Sequence, residues 1–98
     1  MKKIINDPMA FVDEMLEGIL AAHPDRVKRS PESSRVILNA HPPKAGKVGI
    51  VTAGGSCHLP VFLGYVGDGM LDGCAVGNVF ASPSASAMAA MIRACHQG

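Results

Sequence analysis

Lys47-Val48-Gly49-Ile50-Val51-Thr52 runs straight into Ala53-Gly54-Gly55-Ser56-Cys57-His58-Leu59-Pro60. The first six residues are short, apolar and nearly uncharged, the pattern of a strand buried on both faces of a parallel sheet. A glycine-rich turn at the carboxyl end of such a strand is where open α/β sheets hold their ligands. This stretch therefore predicts both the fold class and the place of the site.

Upstream, Asp7-Pro8 has the form of a helix cap followed by proline at the first helical position. Phe11, Val12, Met15, Leu16, Ile19 and Leu20 then recur on one stripe, with Asp13, Glu14 and Glu17 opposite, which predicts an amphipathic helix ended by Pro24. Residues 25–34 read as a polar connector, and Arg35 to Ala40 as a short strand broken by His41-Pro42-Pro43. Downstream, Gly64, Gly67, Gly69, Gly73 and Gly77 punctuate a segment with few elements, and Val79-Phe80 ends a second short strand. Ser82-Pro83 opens a last helix by the same cap-and-proline device, with Met88, Met91, Ile92 and Cys95 on its apolar face. The order helix, strand, strand, glycine loop, strand, helix indicates an α/β domain of mostly parallel short strands flanked by helices.

Ninety-eight residues allow one domain with a small core. A net charge of +1 and four aromatics without tryptophan argue against nucleic acid as a partner, and the absence of a long apolar run argues against a membrane. Three cysteines without framework spacing point to a reducing, cytoplasmic compartment. The charge is unevenly placed. Residues 1–47 carry fourteen charged side chains; residues 48–98 carry only Asp68, Asp72 and Arg93, with nine of the eleven glycines. So little charge cannot make an ordinary solvated surface, so the second half binds a ligand closely or is covered by other chain.

The turn is no Walker A loop, because Gly46-Lys47 is followed by Val48, and no Gly-x-Gly-x-x-Gly fingerprint follows the strand. Gly54 and Gly55 let backbone N–H groups approach a small oxygen-rich ligand, and Ser56 adds a hydroxyl. His58 is the one group in the turn that titrates near neutral pH. It suits a general base on a substrate hydroxyl, or equally a turn histidine bonded to backbone. Cys57 and His58 are adjacent and point apart in extended chain, which disfavours a nucleophile–base pair. Cys57, His58, Cys74, Cys95 and His96 lack metal-ligand spacing, so no metal is expected.

Several stretches in one order resemble the substrate-binding subunit of dihydroxyacetone (glycerone) kinases. Lys2-Lys3-Ile4-Ile5-Asn6-Asp7 is similar to the opening of that family, and Ala45-Gly46-Lys47-Val48 leads into the turn as it does there. Ala53-Gly54-Gly55-Ser56-Cys57-His58-Leu59-Pro60 resembles its Gly-Gly-Gly-Ser-Gly-His-Glu-Pro signature. Gly64-Tyr65-Val66-Gly67, Gly69-Met70-Leu71 and Gly77-Asn78-Val79-Phe80-Ala81-Ser82-Pro83 follow at the family's spacing. The resemblance covers essentially all of residues 1–98.

It implies phosphoryl transfer to a primary hydroxyl of a short ketose, in carbohydrate and glycerol metabolism. Gly55, Ser56, Cys57 and His58 would contact substrate, and His58 would act in acid–base catalysis with a downstream aspartate. The substrate carbonyl would be held as a hemiaminal on a downstream histidine. The phosphoryl donor, ATP with Mg or a phosphotransferase-system subunit, would sit on another domain or subunit, so no cofactor is expected here. The complete protein would be a homodimer, of which residues 1–98 are the N-terminal fragment of the ketose-binding domain, inactive alone. Three departures stand out. Ala53 replaces a glycine, Leu59 replaces a glutamate, and Cys57 replaces a glycine, which strains the chain if that position needs positive φ. These leave dihydroxyacetone and a tetrose such as erythrulose both open, and they keep a second reading: a noncatalytic ligand-binding or regulatory module on the same fold.

Overall fold

In the computed structural model, residues 2–41, 44–59 and 62–96 are described. The Asp7 carboxylate accepts from the Met9 N–H at 2.9 Å and caps the 3-10 turn Pro8–Ala10, which runs into helix α1 (Phe11–Ala22). The expected stripe holds: Val12 and Leu16 are buried, while Asp13, Glu14 and Glu17 face solvent. His23 caps the helix, its N–H donating to Ile19 O, and Pro24 follows.

Four strands form one sheet: β1 (Val27–Arg29), β2 (Val36–Asn39), β3 (Val51–Gly54) and β4 (Gly73–Val76), in the order β1-β2-β4-β3. The α/β class stands, but "mostly parallel" does not. β1 pairs with β2 and β2 with β4 antiparallel; β3 and β4 alone run parallel. The cause is β1, which lies inside the expected polar connector. Val27-Lys28-Arg29 exposes two of its three side chains at the sheet edge, so it carries no apolar run to read. A strand joined to β2 by so short a loop forms a hairpin and must run antiparallel.

Two further expectations shift. The 47–52 strand begins only at Val51, is half-buried, and occupies the other sheet edge rather than a site buried on both faces. Val79-Phe80 lies in a turn, Phe80 fully in solvent, because the chain reverses after Gly77; a Cβ at Gly77 would overlap Ala81 O. Helix α2 (Ala85–Cys95) is capped by Ser84 rather than Ser82, since the Ser84 hydroxyl accepts from the Ala87 N–H at 3.1 Å. Of its expected apolar face, Met91 and Cys95 are buried and Met88 is half-buried, but Ile92 is exposed.

The helices cover opposite faces. β2, buried on both, divides the core by alternation: Ile37 joins Val12, Leu16, Val27, Leu63, Val66, Cys74 and Val76 beneath α1. Val36 and Leu38 join Ala75, Ala87, Met91 and Cys95 beneath α2. The central pair β2–β4 thus anchors a three-layer stack, and the parallel pairing of β3 with β4 sets their carboxyl ends side by side.

Candidate functional site

At that shared end the turn after β3 is laced to the loop after β4. The Gly77 N–H donates to Gly54 O at 2.8 Å, and the Ser56 N–H donates to Asn78 O at 2.9 Å. The Ser56 hydroxyl donates to Gly77 O at 2.6 Å. A side chain at Gly55 would crowd the carbonyl oxygens of Ala81, Asn78 and Val79, 3.1–3.4 Å from an added Cβ. Glycine is needed there for close approach of two backbones; the φ of −71° is ordinary.

Ser56-Cys57-His58 then form one 3-10 turn rather than extended chain. The four expected substrate contacts separate. Gly55 and His58 border a small cavity with Gly54, Leu59, Phe62 and Leu63, floored by Cys74 and Val76. Ser56 is buried as the brace just described, and Cys57 points into solvent. Among the described residues no non-glycine residue has positive φ, so Cys57 sits without strain. Burial pushes the Cys74 thiol up to about 11 and raises that of Cys95, leaving neither a ready nucleophile. All three cysteines are free.

The cavity measures about 10 Å³, room for roughly one water molecule and far less than a triose requires. Phe62 fills the remainder: its ring carbons lie 3.0 and 3.1 Å from where a Gly54 Cβ would stand. Nothing in the pattern of the sequence singles out this phenylalanine. Phe62 itself is 42% exposed.

Beneath the turn, Asp72 clamps the starts of the two parallel strands. Its carboxylate is only 5% exposed and accepts from Lys47 Nζ at 3.0 and 3.2 Å and from the Ile50 N–H at 2.9 Å. The Asp72 N–H donates to Ile50 O at 2.8 Å. Burial pushes this carboxyl up, but the Ile50 N–H and the Lys47 ammonium outweigh it and hold the group below the usual range.

A Dak1 domain model matches residues 17–98. The chain is 42% identical over 98 residues to the L-erythrulose kinase of Pectobacterium atrosepticum, spanning all of this chain and 16% of that protein. It is 44% identical over 98 residues to the dihydroxyacetone-binding subunit DhaK of the PTS-dependent dihydroxyacetone kinase 1 of Listeria innocua, spanning 29% of that subunit. The crystal structure of the C. freundii dihydroxyacetone kinase with AMP-PNP and Mg2+ superposes with a TM-score of 0.84 at 28% identity, over 96% of this chain and 18% of that one. The dihydroxyacetone kinase operon co-activator Dha-DhaQ superposes at 0.77 and 32% identity, over 88% of this chain and 26% of that one. The chain therefore spans less than a third of each of these relatives, and it belongs to the Dak1 domain family.

Proposed function

We propose that residues 1–98 supply the ketose-binding turn of a kinase that phosphorylates a primary hydroxyl of dihydroxyacetone or of a tetrose such as erythrulose. The observation that carries this reading is the laced strand-end turn with Gly55 and His58 on one cavity. His58 takes the proton of the substrate hydroxyl as its oxygen attacks phosphorus. The new O–P bond forms as the bond from phosphorus to the donor's leaving group breaks, the leaving group keeping the electron pair. Ser56 and Gly55 hold the turn against the 77–83 loop, and Phe62 swings aside to admit the ketose.

The covalent anchor, the aspartate partner and the donor, ATP with Mg or a phosphotransferase-system subunit, lie outside these residues. A cytoplasmic homodimer is the corresponding assembly. The likeness to kinases acting on both ketoses supports the substrate class without choosing between its members.

In the full-length protein with its donor, His58→Asn should lower kcat by about 10²–10⁴ with either ketose. Full activity in that variant would overturn the assignment. The co-activator match, with Cys57 and Leu59 replacing residues of the family signature, favours a second reading as a noncatalytic sensor. Saturable ketose binding without turnover by the full-length protein would decide for the sensor.

A further inference from the structure

We infer that Arg35 is a positioning residue for the His58 turn, acting through Asn78 from helix α1; the inference rests on the ketose-kinase reading above. Arg35 stands immediately before β2, its side chain 24% exposed. Its Nε donates to Asp13 Oδ1 of α1 at 2.8 Å, and its Nη1 donates to Asn78 Oδ1 at 3.0 Å. The residue is pinned through its backbone as well: Arg35 O accepts from the Val76 N–H at 2.8 Å, and the Arg35 N–H donates to Ser33 Oγ at 3.3 Å. A planar guanidinium fixed at its root and bonded at two points offers its partners one orientation.

Asn78 is the link to the site. Its carbonyl accepts from the Ser56 N–H, the backbone bond that holds the amino end of the Ser56–His58 turn, and from the Ala81 N–H at 3.3 Å. Asn78 itself is exposed and lies beyond the end of β4, so no sheet ladder holds it. Its side chain is tied to Arg35 instead. The contacts run without a break from α1 through Asp13, Arg35 and Asn78 to Ser56, two residues before His58. Gly55 brings the turn so close to this path that an added Cβ would stand 3.1–3.4 Å from the carbonyl oxygens of Ala81, Asn78 and Val79. A displacement of Asn78 therefore passes to the turn rather than being absorbed.

The arrangement contributes little to stability. Exposed or half-exposed ion pairs such as Arg35–Asp13 add little to stability, and Asp13 is 54% exposed. Removing the guanidinium should leave the fold intact and let the turn drift. Small misplacements of reacting groups are costly to rate even when they are cheap in stability.

The test is steady-state kinetics on the full-length protein with its phosphoryl donor, alongside thermal melting. Arg35→Met should raise the ketose KM about tenfold and lower kcat several-fold, with the donor KM unchanged and the melting midpoint within a few degrees. Asn78→Ala should do the same, and the double variant should be no worse than either single one, because both break one path. Arg35→Lys, which reaches one partner but not both, should fall between. An unchanged ketose KM in Arg35→Met overturns the inference. So do losses that multiply in the double variant, and so does a fall in kcat with both KM values unchanged, which is mere loss of folded enzyme. His58→Asn is run in parallel: if it is inactive while Arg35→Met keeps its ketose KM, the inference alone fails. If His58→Asn is fully active, the kinase reading of the turn fails with it.

Discussion

Residues 1–47 and residues 48–98 build the same sheet by different means. The first half supplies a capped amphipathic helix, a hairpin and most of the charge. The second supplies two parallel strands joined by a glycine-rich crossover with no α-helix among its described residues, and almost no charge. Its three charged residues all face partners in the first half: Lys47–Asp72 at 3.0 Å, Glu32–Arg93 at 2.8 Å and His41–Asp68 at 3.8 Å. The first half would read as an ordinary solvated unit; the second is built to be covered. Its cover is one-sided here. β2 closes one edge of β4, but β3 has no neighbour beyond it among the described residues. Val48, Ile50, Phe62, Tyr65, Met70, Phe80 and Ile92 stand exposed in the second half, against Ile4, Ile5 and Met9 in the first.

This contrast predicts its largest effect for residues 1–98 produced alone. The β3 edge carries no lysine or proline to discourage pairing, and Val48 and Ile50 extend it with apolar surface. The isolated chain should run on size exclusion as oligomers or aggregate and should phosphorylate neither dihydroxyacetone nor erythrulose with ATP. Ile50→Lys should shift it toward monomer, since Ile50 is 52% exposed and the change costs little burial. A sharp monomer peak with cooperative melting for the unmodified chain would show that the second half covers itself.

The next effect tests the clamp that joins the halves. Because the Asp72 carboxyl is held below its ordinary value of 3.8, the folded state binds fewer protons than the unfolded one. Its contribution is complete above the unfolded value and is lost as pH falls through the folded value. Acid unfolding should therefore draw on Asp72 from about pH 5 downward. Lys47→Met removes one of the two stabilising partners and leaves the Ile50 N–H, so it should cost about 1–2 kcal/mol at neutral pH, Lys47 being 43% exposed and partly screened. It should also move the acid transition to higher pH. An acid midpoint identical to that of the parent protein would show that the ammonium does not hold the carboxyl.

What was legible in the sequence follows from the range of the contacts. The α1 cap and stripe, β2, and the glycine turn with Gly55 and His58 rest on neighbours in the chain, and each is found close to where the pattern puts it. β1 was hidden because an edge strand keeps its charges. The true start of β3 was hidden because Asp72, twenty-two residues from Ile50, decides it. Arg35 and Asn78 are forty-three residues apart, and no local rule pairs them. Ser56 illustrates the limit within the site itself: its hydroxyl suits a ligand contact, yet its nearest acceptor is the carbonyl of a glycine that the fold brings from β4's end.

The smallest effect concerns Cys57, where the second half departs from the family signature. Positive φ at this position would have made cysteine a strained substitute and Cys57→Gly a gain. The residue instead has an ordinary backbone inside a 3-10 turn, with its side chain in solvent. Glycine there relieves nothing and loosens the unfolded chain, a cost of about 0.5–1 kcal/mol. The thiol borders neither the cavity nor the bonds that lace the turn to the 77–83 loop. Cys57→Gly should therefore lower the melting midpoint by a few degrees and leave ketose KM and kcat within about twofold of the parent. A large gain in kcat would mean that the turn adopts another backbone when substrate is bound. A large loss would place the thiol among the substrate contacts, and the assignment of Gly55 and His58 to the cavity with Cys57 outside it would have to be redrawn.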